Sequence, residues 1–212
     1  PLYRSWDAIS MRGEEAWHSV LVAATDPGER DTQGKLDKLA LKYGLNFVRE
    51  HPWLTLKRDV VKFFDFWGLE RELVAGAVRG YFGDVPKAAV VLLTLAVVGT
   101  YVLVLLSGVF GAAVAPPPDR RLHAFLLLLV AFFCGVHTLV FAHSRYHLPV
   151  MPVVMLYAAG AWVSVREIWA RRSHWTFRLA CGICVLFVCG WVWQFFAVDL
   201  PLYRGYLASG EG

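Results

Sequence analysis

The densest group of polar donors beside apolar sequence is His143-Ser144-Arg145-Tyr146-His147-Leu148-Pro149-Val150-Met151-Pro152. A guanidinium at headgroup depth can bind a phosphate bidentately in a partly desolvated setting, and the start of a following helix adds a favourable dipole. Arg145 is therefore a candidate contact for a lipid-linked phosphate. Pro149 counts against the helix-terminus contribution, because it has no N–H to offer. The competing reading is an arginine that snorkels to ordinary headgroups.

Other residues with chemical potential are less well placed. His143 and His147 are four apart, with His137 one and a half turns earlier, a spacing that could bring imidazoles together around a metal. No carboxylate lies nearby in sequence, and hydrogen-bonded interfacial histidines explain the pattern equally, so no metal is assigned. A general base must be held beside its acceptor hydroxyl. The candidate carboxylates are Asp7, Glu14, Glu15, Asp26, Glu50, Asp65, Glu70 and Glu72, and nothing in the sequence positions any of them. Cys181 and Cys184 form a C-x-x-C, but inside an apolar run this reads as small residues at a helix contact rather than a redox pair. There is no P-loop, G-x-S-x-G, H-E-x-x-H or dinucleotide fingerprint, which removes support for the soluble-enzyme chemistries.

The elements that must position these residues are helices in a membrane. The 212 residues are 57% hydrophobic and 18% charged, with a mean hydropathy of +0.48, too apolar for an ordinary soluble domain of this size. Four runs from residue 86 onward are each long enough for one crossing, which takes about 20 apolar residues. They are placed at residues 88–115, 122–142, 148–166 and 178–198, within a four-helix region spanning 86–200. His137 is the only ionisable group within the second run, Ala124 to Ala142. Net charge is +4, but the arginines gather in short links between apolar runs rather than on one polar face, which excludes nucleic acid as a partner.

Those links set an orientation. Arg120 and Arg121 join spans one and two, and Arg166, Arg171, Arg172 and Arg178 join spans three and four, so these loops are expected in the cytoplasm. The loop with Arg145, the tail over 201–212 and the region 1–85 then face outward. Trp169, Trp175 and Phe177 fall near one interface and Trp191, Trp193, Phe195 and Phe196 near the other, as aromatic anchors do.

Residues 1–85 read as an extracytoplasmic amphipathic helical region. A short helix is expected around Ser10 to Thr25, then a loop with Asp26-Pro27-Gly28. Leu36, Leu39, Ala40, Tyr43 and Phe47 sit at helical spacing over residues 34–50. After Pro52, suited to a first helical turn, Leu56, Val60, Phe63, Phe64 and Trp67 are interleaved with Lys57, Arg58 and Lys62. Such a helix can lie in the headgroup plane or pack its apolar face on the rest of the protein. The fold class expected is all-α, a polytopic transmembrane helical protein. No hydrophobic segment precedes residue 86 and the first residue is Pro1, so the chain is expected to continue a longer polypeptide.

The stretch Ser144-Arg145-Tyr146-His147-Leu148-Pro149-Val150-Met151-Pro152-Val153, followed by a span with Ala158, Ala159 and Ala161, resembles an element of bacterial GT-C glycosyltransferases. These are polytopic enzymes related to protein O-mannosyltransferases and aminoarabinose transferases. Phe47-Val48-Arg49-Glu50-His51-Pro52-Trp53 and Lys62-Phe63-Phe64-Asp65-Phe66-Trp67 are similar to the region before the last spans in that family. The resemblance covers roughly residues 34–165 and implies sugar transfer, with inversion, from a polyprenyl-phosphate donor to an acceptor on the extracytoplasmic face of the bacterial inner membrane. It implies Arg145 as a donor-phosphate contact, with Tyr146 and His147 shaping the same pocket. An acidic residue in the first outer loop that acts as general base, often with a divalent metal at the donor phosphate, would lie in an N-terminal transmembrane part that this chain lacks, leaving the fragment alone inactive. Membrane lipid, the lipid-linked donor and that N-terminal part are the partners implied. Two other classes remain: a non-catalytic membrane scaffold or partner-binding subunit, and a transporter piece, which nearly uniform apolar spans disfavour.

Overall fold

The computed structural model describes residues 33–69, 76, 81–83, 85–140, 144–196 and 200. Among them every regular element is helical. Two helices precede the bundle, α1 (Gln33–Glu50) and α2 (Pro52–Phe66). The bundle comprises α3 (Lys87–Val114), α4 (Arg120–Leu139), a 3₁₀ helix (Ser144–Val150) leading into α5 (Met151–Val163), a short α6 (Val165–Ala170) and α7 (Trp175–Gln194). Four helical runs are long and apolar enough to cross a bilayer: Ala88–Val114, Arg120–Leu139, Arg145–Val163 and Trp175–Gln194. The protein is a multi-pass membrane protein. The helix expected around Ser10 to Thr25 and the tail 201–212 lie outside the described residues.

The span boundaries shift from those expected, for local reasons. Asp119 caps α4, its carboxylate accepting from the backbone N–H groups of Arg121 (2.8 Å) and Leu122 (3.3 Å), so the helix starts at Arg120 rather than two residues later. His174 caps α7 by accepting from the N–H of Thr176, which moves that start from 178 to Trp175. The third span begins earlier, because the stretch from Ser144 to Val150 is a 3₁₀ helix continuous with α5. Pro149 and Pro152 remove two N–H groups from this stretch, which disrupts regular α-helical bonding, and the tighter winding accommodates the change. Its far limit is Val163, where Ser164 breaks the helix, so Arg166 belongs to α6.

The closest pairing in the bundle is α3 against α5. Gly108 faces Val154 and Gly111 faces the backbone of Tyr157, so the two helices run in the same direction with backbones nearly touching. α7 runs opposite to α3: Tyr101 meets Trp191, the thiol of Cys184 donates to the Leu106 carbonyl and Phe110 meets Phe177. Cys181 and Cys184 are unbridged, and Cys184 sits at this helix contact. α4 is peripheral, with no buried residue, and is tied to α5 by a 2.8 Å hydrogen bond between His123 Nδ1 and the Tyr157 hydroxyl. One end of the bundle, here called the head, holds Leu139, the 3₁₀ helix and Gln194; α2 docks there. At the other end Val114, Ala161, Ile168 and Ala180 form a second core.

The glycine contact yields a stability test. Gly111→Ala would drive a methyl into the Tyr157 carbonyl, a backbone atom that cannot give way, so a loss of about 1–3 kcal/mol is expected. Gly135→Ala, where no atom comes within 4 Å, should be neutral or slightly stabilising. Thermal melts of the detergent-solubilised variants, read by circular dichroism, check the contrast.

Candidate functional site

The head end is organised around the last residues of α2. A helix leaves its final carbonyls without intrahelical partners, and here other elements cap them. The Trp67 carbonyl accepts from the Tyr101 hydroxyl (3.1 Å) and from Trp191 Nε1 (2.7 Å). The carbonyl of Phe66 accepts from His147 Nδ1 at 2.8 Å, which fixes the tautomer with the proton on that nitrogen. Three transmembrane segments thus converge on two consecutive carbonyls. Asp65, one residue earlier, accepts from Gln194 Nε2 at 2.8 Å.

Aromatic packing closes this hub. His147 is 4% exposed and stacks between Tyr101 (4.9 Å between centroids) and Trp67 (6.2 Å). Phe63 lies parallel to Phe187, and Phe64 rests on the bare backbone of Gly190, where any side chain would occupy the ring's place. These contacts hold the buried face of α2 on the bundle. The helix retains a second apolar face, with Trp53, Leu56 and Val60 exposed, so both readings of its amphipathicity describe part of it.

The residues expected around a donor phosphate separate into different roles. Arg145 is exposed in the first turn of the 3₁₀ helix. Tyr146 is half-buried and lies flat on His137 at 4.4 Å and 5°, while His147 is buried and committed to Phe66. Tyr146 and His147 therefore form the packed support from which Arg145 emerges. Of the three histidines, His143 lies outside the described residues, and His137 and His147 are engaged in stacking. Among the described residues no group of three potential metal ligands comes together. Asp65 and Glu50 are the described members of the carboxylate set. Asp65 is held by Gln194, and Glu50 is exposed at the end of α1. The rest lie outside the described residues.

α2 also carries three cations. The Lys62 ammonium donates to the Leu139 carbonyl (3.1 Å), the last residue of α4, and pairs with Asp59 at 3.3 Å. Arg58 lies over the Phe47 ring at 5.0 Å. Lys57 borders an otherwise apolar groove of about 420 Å³ lined by Trp53, Leu56, Val60, Val61, Phe64 and Trp193.

Sequence reasoning misses the hub itself: it gives Tyr101 and Gln194 no role, Trp67 only a place on the apolar face of its helix, and Trp191 only that of an interfacial anchor. One signal was present. Tyr101 is a lone phenol midway along an uncharged apolar span, and a buried tyrosine hydroxyl generally finds a partner. The fold and head-end site define a multi-pass helical membrane protein with an amphipathic helix latched onto one end of its bundle. No protein-family model, no curated protein and no solved structure matches the chain.

The shared carbonyl predicts non-additive mutations. Tyr101→Phe or Trp191→Phe alone leaves the Trp67 carbonyl one donor, for a loss of about 0.5–1.5 kcal/mol. The double variant orphans a buried acceptor and should exceed the sum of the singles, which a double-mutant cycle on unfolding free energy would reveal. Strict additivity would mean that the two donors do not share the carbonyl.

Proposed function

We propose that this chain is the C-terminal membrane portion of a glycosyltransferase that takes a sugar from a polyprenyl-phosphate-linked donor and transfers it on the extracytoplasmic face of a bacterial inner membrane. The observation that carries the reading is the setting of Arg145. It opens the third span, exposed at the end of an apolar helix, on a 3₁₀ turn anchored by the Tyr146–His137 stack and the His147–Phe66 hydrogen bond. A guanidinium projecting from so fixed a base keeps much of its geometry when it meets a phosphate, and its planar fork suits bidentate binding. Position matters as well. Arg145 lies in the first turn of the third span, and a cation at the edge of a span suits a lipid phosphate, with apolar helices beside it to accompany a prenyl chain.

The outward placement of the head rests on the basic residues at the opposite end: Arg120 and Arg121 at the start of α4, and Arg166, Arg171 and Arg172 around α6. The resemblance of Ser144–Val153 to GT-C glycosyltransferases supplies the reaction, and the general-base carboxylate and any metal of that reaction are assigned to an N-terminal transmembrane part. The alternative, a non-catalytic scaffold or partner-binding subunit, draws on α1, whose Leu41, Leu45 and Val48 are exposed.

Binding of polyprenyl phosphate to the purified protein in detergent tests the proposal. Arg145→Ala should weaken binding by about 10- to 100-fold, the worth of a charge-assisted hydrogen-bonded contact. Arg145→Lys should recover part of the loss, because it restores charge without the fork. Unchanged affinity in both variants, with unaltered melting, would return Arg145 to ordinary headgroup contacts and favour the scaffold.

A further inference from the structure

The exposed flank of α2 forms a groove with the end of α7 that the donor-phosphate reading does not use. Trp53, Leu56, Val60, Val61, Phe64 and Trp193 line it, with Lys57 as the lone charged member. Trp53 is 81% exposed, and Leu56, Val60 and Trp193 are also open. So much apolar surface at one place is unfavourable against water. It lies beside Trp193, the penultimate residue of a membrane-spanning helix, and therefore at the boundary between hydrocarbon and headgroups.

The charge pattern narrows the occupant. No acidic side chain lines the groove. Lys62 is engaged with Asp59 and the Leu139 carbonyl, and Arg58 with the Phe47 ring. Among the described residues Lys57 has no hydrogen bond or ion pair. An open apolar groove bordered by one ammonium, with no acidic side chain in its lining, complements a molecule with a hydrocarbon tail and an anionic head, and its volume falls in the range of small-molecule sites.

We propose that this groove seats one acyl chain of an anionic glycerophospholipid from the surrounding bilayer, its phosphate against Lys57. The site goes beyond the donor contact at Arg145 and stands whether or not the chain belongs to a glycosyltransferase. The bilayer is the source because the exposed Trp53, Leu56 and Val60 of α2 line the groove beside Trp193, at the end of a helix long and apolar enough to cross a membrane. A bound lipid would cover that exposed flank and fasten α2 at the membrane surface.

The test is native mass spectrometry of the protein with dioleoyl phosphatidylglycerol, dioleoyl phosphatidylcholine or polyprenyl phosphate at matched concentrations. Phosphatidylglycerol should be retained over phosphatidylcholine. Lys57→Gln should weaken its retention about fivefold, the worth of one basic residue at a lipid surface. Val60→Trp, which fills the slot at an exposed position, should remove retention of both phospholipids without weakening polyprenyl phosphate. Leu56→Gln is the second disruption should Val60→Trp lower the melting temperature. Equal retention of the two phospholipids, or no effect of Lys57→Gln and the slot variants, would overturn the proposal. So would displacement of phosphatidylglycerol by polyprenyl phosphate from the wild type with Lys57→Gln weakening both lipids, because the groove would then be the donor's own seat.

Discussion

Helix C-termini near a low-dielectric layer need donors for their last carbonyls, and this protein meets that need by tertiary contacts. An unpaired backbone acceptor in hydrocarbon costs several kcal/mol, and water is scarce where these helices end. The final residue of α3, Val114, receives Arg171 Nη1 at 2.9 Å, and that of α4, Leu139, receives Lys62. The end of α2 receives His147, Tyr101 and Trp191. In each case the donor comes from a different element, so satisfying the backbone also fixes which helices are neighbours. Where the donor is cationic it also complements the negative end of the helix dipole.

That constraint explains why α2, with its basic and acidic residues, docks on a membrane bundle at all. Its Phe63 and Phe66 supply apolar area, but apolar area could be satisfied equally by lipid. Direction is set by the hydrogen bonds, since only a helix arriving with its C-terminus toward Tyr101, His147 and Trp191 presents carbonyls to them. Gly190 then lets Phe64 approach α7 closely, as Gly108 and Gly111 let α3 approach α5. Small residues bring backbones together and polar donors choose the register, the division of labour expected where water drives little helix association.

What the sequence disclosed follows from the same distinction. The four spans were legible because each is a long run with almost no charge, a one-dimensional property. Their ends were less so, since the cap of Asp119 and that of His174 advance two helices beyond what hydropathy marks. Arg145 was legible as a cation at a span edge, but its neighbours were not: His147 looks like a second polar donor in sequence, and only the return of Phe66 across 81 positions reveals it as a buried cap. The partners of Tyr101 and Gln194 come from distant segments, and no periodicity carries that information. For α2, headgroup contact and protein contact were alternatives in sequence because a single stripe was assumed. In three dimensions the residues divide into a bundle stripe with Lys62, Phe63 and Phe66 and an outer stripe with Trp53, Leu56, Lys57 and Val60.

The hydrogen-bond pattern also separates support from function among the polar groups of the head. Gln194 is buried, donates its amide to Asp65 and leaves Oε1 without a partner among the described residues. Its orientation follows from chemistry, because the amide nitrogen is the end that donates and the Asp65 oxygen accepts, and the side chain cannot turn both ends to the same group. His147, Tyr101, Trp191 and Lys62 are each held by a backbone carbonyl, so a ligand could recruit any of them only by exposing an acceptor that the membrane setting makes costly to orphan. The hub is therefore built as a support. Arg145 on the 3₁₀ turn and Lys57 on α2 stand at its exposed surface, where a ligand could meet them without orphaning a hub carbonyl.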